Sequence, residues 1–307
     1  MATRKNSPWQ YAFNPRYWPI LTSLGIFWCL AQLPFAVQSV IGTGLGQLMY
    51  VFSKRRRHIA TVNLSLCFPD LDEHEKKQLL QRHFRSMGIS IMEVVSGWWA
   101  PAKRLKKLVT INGLDYLEYA LNQGTGVILL SAHFTCLEIG GRLLSLYAPF
   151  HVMYRSNENP VVEMFMRKNR ELHFEKAIPR DNVREMLNSL KQGKAVWYAS
   201  DQNFGHKNSV FADFFGVPAA TNTATSRLAK LSGASVIPFF PVRRPDGKGY
   251  DLNLLPPLDN FPTGDALIDA MRINKLIEDQ IRKAPEQYLW MHRRFKDRPG
   301  GVDNVYQ

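Results

Sequence analysis

From Tyr17 to Ser53 the chain runs for 37 residues without one Asp, Glu, Lys or Arg. Charged residues make up 21% of the whole sequence, so a gap of this length is no chance fluctuation. It confines this part of the chain to an apolar helix, inside a core or inside a bilayer. Tyr17–Val37 has about the 20 residues that cross a hydrocarbon layer of roughly 30 Å, and Tyr17 and Trp18 stand where interfacial aromatic residues sit. The run is too long for the apolar region of a cleaved signal peptide, and it ends at Pro34 rather than at a small-residue cleavage site. Ile41–Phe52 is less apolar and rich in Gly, and Lys54, Arg55, Arg56, Arg57 and His58 follow at once. This order predicts a membrane helix over residues 17–37 and a basic stop on the cytoplasmic face, where each cation near anionic lipid contributes on the order of 1 kcal/mol. Arg4, Lys5 and Arg16 on the other side weaken the bias and leave a shallow insertion open. A buried core helix is the competing reading.

Hydrophobic residues make up 45% of the 307, enough for a real core, which excludes a disordered basic tail. Cys29, Cys67 and Cys136 are three and far apart. They cannot build a disulfide framework or a zinc ribbon. The net charge of +13 asks for an anionic partner: nucleic acid, a membrane surface or a phosphorylated substrate.

Past the basic cluster, Ile59 to Leu108 has apolar residues at three- and four-residue spacing behind an acidic first turn, bracketed by Pro69 and Pro101, which predicts helices. After Val109 the rhythm changes. GVILLSAHF, HVMYR, AVWYAS, SVIPFFPVR and YDLNLLPPL read as strands, and Glu138–Tyr147, Pro160–Phe174, Asn182–Gln192 and Thr223–Ser232 as helices between them. Such alternation predicts an α/β fold with a mixed central sheet flanked by helices. The expected organisation is a tail and membrane anchor over 1–53, a basic helical lead-in over 54–108, and one α/β unit over 109–307.

In α/β sheets function gathers at the carboxyl ends of strands. The strand Gly126–Leu130 runs out into Ser131-Ala132-His133-Phe134-Thr135-Cys136-Leu137-Glu138. His133 and Glu138 can meet only if the histidine lies in the turn and the acid on the first helical turn. The carboxylate would then accept the Nδ1 proton and leave Nε2 as a base for a substrate hydroxyl. The bland alternative is a buried histidine beside an acid that favours a helix N-terminus. Cys136 is a candidate thiol nucleophile, outweighed by a reading as a small core residue. The spacing is not that of a zinc protease, and no tetrahedral ligand set is nearby, so no metal is expected. Asp201 follows the strand Ala195–Ser200 and should project near the same sheet edge as His133. Arg170 closes a basic-edged helix. Tyr288 to Lys296, which includes Arg293 and Arg294, interleaves aromatic and cationic residues in a way that suits phosphate and lipid headgroup, or nucleic acid.

SAHFTCLE resembles the His-x4-Asp/Glu signature of the lysophospholipid and glycerolipid acyltransferase superfamily. KRRRHIATVNLSLCFPD, WYASDQNFG, SGASVIPFFPVRRPDGKGY and APEQYLWMHRRFK resemble the late acyltransferases of bacterial lipid A synthesis, closest to the lauroyl-type branch, and the likeness runs from about Pro15 to Gly300. The resemblance implies transfer of a fatty acyl chain from an acyl-carrier-protein thioester to a hydroxyacyl chain of Kdo-lipid IV(A) at the inner membrane, on its cytoplasmic face. It implies His133 as general base with Glu138 orienting it, Arg170 and Asp201 completing the polar site, no cofactor and no acyl-enzyme intermediate. Arg293 and Arg294 are expected to bind the anionic acceptor. The partners would be the carrier protein, the lipid A precursor and the membrane, with nucleic acid set aside. Acylation of a lysophospholipid or other glycolipid by the same residues is the nearest alternative, and a non-catalytic basic membrane-surface protein a more distant one.

Overall fold

The computed structural model describes residues 13–203, 205–206, 208–301 and 304–307; Arg4, Lys5 and Phe204 lie outside the described residues. The uncharged stretch forms two helices, not one. Helix α1 (Trp18–Gln32) stops at Leu33, and α2 (Phe35–Phe52) begins after Pro34, whose missing N–H ends the ladder. The expected span over residues 17–37 is therefore corrected. The 15-residue α1 is roughly 22 Å long, short of a hydrocarbon core. The 18-residue α2 is long and apolar enough to cross a membrane. At the break Leu33 O accepts from Gln38 Nε2 at 2.9 Å and from Arg104 Nη2 at 2.7 Å, so no carbonyl is orphaned there. Both helices leave large apolar side chains uncovered, among them Trp28 on α1 and Val40 and Phe52 on α2, the last two about three-quarters exposed.

The basic cluster opens α3 (Lys54–Cys67), and Arg57 Nη1 turns back onto Tyr50 O. Helix α4 (Glu73–Trp99) starts with a reciprocal cap: Asp72 Oδ1 accepts from Glu75 N at 2.8 Å, and Glu75 Oε2 from Asp72 N at 2.9 Å. Glycines fuse α2 to α4. A Cβ on Gly88 would lie 2.0 Å from Gly42 O and one on Gly46 2.2 Å from Phe84 O, so only glycine lets the two backbones come this close. The short α5 (Ala102–Leu105) then leads into the sheet.

The central sheet holds β1 (Val109–Asn112), β2 (Val127–Ser131), β3 (His151–Tyr154), β4 (Lys176–Pro179), β5 (Ala195–Ala199), β8 (Ser235–Arg243) and β9 (Tyr250–Leu254). Their order is β1-β9-β8-β2-β5-β3-β4. All neighbours run parallel except β8 and β9, which gives the expected mixed α/β sheet. Helices α6 (Leu114–Asn122), α7 (Leu137–Leu144), α8 (Pro160–His173), α9 (Val183–Lys191), α10 (Ala224–Ser232) and α11 (Ala266–Lys283) flank it. β2 is the middle strand and all five of its residues are buried, as expected for a parallel strand covered on both faces. A separate hairpin pairs β6 (Ser209–Phe214) with β7 (Val217–Asn222).

Candidate active site

Sheet register builds the site. β2 and β5 are parallel neighbours with Ser131 opposite Ala199. His133 and Asp201 each lie two residues beyond that pair, so the chain carries both out of the sheet side by side. Asp201 Oδ1 accepts from His133 Nδ1 at 2.6 Å, and its Oδ2 accepts from the His133 backbone N–H at 3.0 Å. The Tyr288 hydroxyl faces the same carboxylate and helps to lower its pKa. Tyr288 arrives there because residues 287–289 pair with the turn: Thr135 N donates to Gln287 O at 2.6 Å and Leu289 N to His133 O at 2.9 Å. Burial alone would raise the Asp201 pKa, but the facing imidazole and these hydrogen bonds hold it at about 2. Burial alone would lower the His133 pKa, and Asp201 outweighs it, so the net shift is upward from 6.5. An ionised carboxylate only accepts, so Nδ1 carries a proton and Nε2 is the remaining nitrogen, on a side chain that lines a cavity of about 710 Å³.

The expected pairing of His133 with Glu138 is corrected by this geometry. Glu138 stands on the first turn of α7, as expected, but its Oε1 accepts from Arg170 Nη2 at 3.1 Å on α8. The carboxylate that reaches Nδ1 comes instead from the end of the neighbouring strand. Arg170 also lies over the Tyr154 ring, 5.0 Å from its centroid, and its Nη1 is buried without a hydrogen-bond partner. Tyr154 lines the cavity that His133 faces, so the Glu138–Arg170 pair sits behind one of its walls.

Two further expectations meet the structure differently. Cys136 is fully buried, its thiol donates to Pro241 O at 3.2 Å, and burial pushes its pKa up to about 12, which is the behaviour of a core thiol and not of a nucleophile. Arg294, expected to bind an anionic acceptor, is 2% exposed. Its guanidinium donates to Ala220 O at 2.6 Å and Thr221 Oγ1 at 2.8 Å, so it fastens the C-terminal segment to β7. Arg293 is half-buried over the Tyr306 ring. The C-terminal segment alternates aromatics and cations because it packs, with Trp290 and Phe295 in the core.

The cavity, about 710 Å³, has an apolar wall that includes Met153, Met186, Trp197 and Leu228, and a polar rim that includes Arg155, Arg180 and Arg227. None of these was singled out from the sequence. They come from β3, β5, α9, α10 and the turns after β3 and β4, and only the strand order brings them together. Among the described residues no three His, Cys, Asp or Glu side chains are grouped as metal ligands would be.

An α/β protein with a half-buried histidine on a buried aspartate beyond two parallel strands, open on an amphiphilic cavity, has the layout of an enzyme that handles a proton on a bound amphiphile. A sequence profile described as bacterial lipid A biosynthesis acyltransferase matches residues 9–297. The chain is 40% identical over 294 residues to the lipid A biosynthesis lauroyltransferase of Escherichia coli K12, covering 95% of this chain and 96% of that protein. It is equally similar, 40% over 294 residues with the same coverage, to the palmitoleoyltransferase of the same organism. A lipid A biosynthesis acyltransferase of Haemophilus influenzae is 37% identical over 289 residues, 93% of this chain and 92% of that one. The chain belongs to the bacterial lipid A biosynthesis acyltransferases.

Proposed function

We propose that this acyltransferase moves a fatty acyl chain from an acyl-carrier-protein thioester to the hydroxyl of a hydroxyacyl chain on Kdo-lipid IV(A). The observation that carries the reading is the His133–Asp201 pair facing a cavity that is apolar on one wall and cationic at its rim. His133 Nε2 takes the proton of the acceptor hydroxyl as its oxygen attacks the thioester carbon. Asp201 keeps the other ring proton on Nδ1 and stabilises the imidazolium. The C–S bond then breaks, the imidazolium returns the proton to the leaving sulfur, and an ester and a free carrier thiol result. Attack is direct, with no acyl-enzyme. Glu138 and Arg170 act as a unit behind the cavity wall, in which Glu138 fixes the guanidinium and the guanidinium in turn holds the Tyr154 ring that lines the cavity.

In this reading the protein works at the inner membrane on the cytoplasmic face, where α2 and the open apolar side of α1 enter the bilayer and the Lys54–His58 cluster meets anionic headgroups. Residues 1–53 hold the anchor, 54–108 the lead-in and 109–307 the chemistry. The lauroyl and palmitoleoyl relatives are equally similar, so either chain length is compatible, and laurate stays a choice for the assay. Mass spectrometry of lipid A from cells lacking and regaining the protein tests the reading. Loss and return of one secondary acyl chain is expected; unchanged lipid A, with purified protein inactive on lipid IV(A), overturns it.

A further inference from the structure

We infer that Arg155, Arg180 and Arg227 form a phosphate-binding subsite at the rim of the His133 cavity; this rests on the acyl-transfer reading and adds which group of the substrate the protein grips. The three arginines come from separate parts of the chain. Arg155 follows β3, Arg180 follows β4, and Arg227 lies on the first turn of α10, yet all line the one cavity that His133 lines. All three are exposed. A cationic trio of this kind is not a core feature stranded at the surface.

Their existing partners are weak or neutral. Arg155 has no hydrogen bond or ion pair among the described residues. Arg180 Nε lies 3.6 Å from Asp181 Oδ1, on a carboxylate that is almost fully open to solvent, a pair worth little in water. Arg227 Nη1 donates to the amide oxygen Asn208 Oδ1 at 3.1 Å. Asp181 is the one carboxylate lining the cavity among the described residues, so three cations face one anion around a space of about 710 Å³.

The backbone adds to this field. Val183 and Ala224, the first residues of the nine-residue helices α9 and α10, line the same cavity, so two helix N-termini turn their positive ends toward it. Guanidinium forks match phosphate oxygens in pairs, where lysine would offer only a point charge. The apolar part of the lining, with side chains such as Met153, Met186, Trp197 and Leu228, suits hydrocarbon. The occupant is therefore an amphiphile whose phosphate sits at the rim while an acyl chain runs along the wall toward His133.

Two substrates could present that phosphate: the sugar phosphate of the lipid acceptor, or the phosphodiester of a carrier protein's phosphopantetheine arm. Full-length protein in detergent, wild type against R155Q/R180Q/R227Q and the matching triple lysine variant, separates them. If the acceptor supplies the group, KM for lipid IV(A) rises about tenfold or more with little change in kcat. Enzymatically dephosphorylated acceptor then no longer distinguishes wild type from variant, and lysine recovers part of the loss. If the donor supplies it, KM for acyl carrier protein rises and that for lipid IV(A) does not. Either result supports the subsite.

Titration of phenyl phosphate by calorimetry gives a readout free of activity. Binding should weaken about tenfold in the glutamine variant while its melting temperature stays that of wild type. Unmoved KM values for both substrates overturn the subsite, as does phenyl phosphate binding that is absent or equal in the two proteins. Wild-type protein that binds phenyl phosphate through these arginines yet transfers nothing to lipid IV(A) would instead overturn the acyl-transfer reading and leave the subsite standing.

Discussion

Asp201→Asn removes a charge at the site while nearly preserving the shape of the side chain. The carboxylate accepts two N–H groups of one residue, Nδ1 at 2.6 Å and the backbone at 3.0 Å. Asparagine has a single oxygen for two donors. When that oxygen keeps the backbone N–H, its own NH2 faces Nδ1, and the imidazole must carry its proton on Nε2, the nitrogen needed as base. Loss of a positioned base costs about 10²- to 10⁴-fold in rate, or about 3–6 kcal/mol of barrier at roughly 1.4 per tenfold. A second effect travels with the first. Asp201 is what raises the His133 pKa against the pull of burial, and a general base acts in its neutral form, so with His133 in the proposed role wild-type activity should climb with pH through a value above 6.5. In Asp201→Asn the residual activity should climb at lower pH. Initial rates of acyl transfer over a pH series report both. A variant within about threefold of wild type, with its acidic limb unmoved, refutes the assignment of Asp201 as the partner of the base. Glu138→Gln is the control: Glu138 bonds Arg170, so its loss lowers the rate and leaves the limb where it was. A shifted limb in Glu138→Gln and none in Asp201→Asn would give the role back to Glu138.

Cys136→Ala should keep the transfer rate within about twofold, because the thiol is buried and stays protonated; an acyl adduct on wild-type protein that vanishes in this variant, seen by intact-mass spectrometry, would contradict that. Gly88→Ala should lower the melting temperature, since its Cβ would sit 2.0 Å from Gly42 O and overpacking of this kind costs about 1–3 kcal/mol or more; an unchanged melt shows that α2 and α4 can separate freely. Arg294→Met should destabilise by about 1–3 kcal/mol for each buried acceptor left unpaired, at Ala220 O and Thr221 Oγ1, while the half-buried Arg293 tolerates Gln; equal melts for the two variants would return Arg294 to the surface. The Asp201 carboxyl, lowered from 3.8 to about 2, adds roughly 2 kcal/mol of stability above about pH 4 that is lost as pH falls through 2. His133, raised above 6.5, stabilises below that value and loses the effect as pH rises through its folded pKa, so denaturant melts of wild type and Asp201→Asn should differ most between pH 3.8 and 6.5.

Runs with strong periodicity were legible in the sequence. SVIPFFPVR is β8 from end to end, and Pro160 opens α8 where its fixed φ suits a first turn. The β6–β7 hairpin was not legible, for a physical reason. Its two-residue turn is Phe215–Gly216, with φ of 54° and 74°, and a turn with both residues left-handed normally signals itself with Asn-Gly or Asp-Gly. Phenylalanine holds that conformation only because α11 grips it: Glu278 Oε1 accepts from Phe215 N at 2.8 Å and Arg282 lies over its ring. The strain is met from about 60 residues away in the chain, out of reach of a local pattern. The same limit governs the site. The two ends of the His133–Asp201 pair are adjacent only because β2 and β5 are neighbours in parallel register, a fact of strand order. The spacing of His133 and Glu138 left their pairing open, and the resemblance gave the role to Glu138, which is near in sequence but points at Arg170.

The uncharged stretch and the His133 turn, far apart in the sequence, are joined by one helix. Ser86 and Gly88 are two positions apart on α4, which places them about 200° apart around its axis, on opposite faces. Gly88 receives the backbone of α2 at Gly42 and Gly46. Ser86 shares a 2.7 Å hydrogen bond with Thr135 Oγ1, inside the turn between His133 and Glu138, and also accepts from Arg243 Nη1 at 3.0 Å. Arg243 is held in turn by Glu93 on the same helix, at 2.6 and 2.9 Å. The apolar helix is thus not a tether on a loose leader. Through the glycine contact on one face of α4 and the Ser86 hydrogen bond on the other, α2 is tied to the loop that carries the histidine.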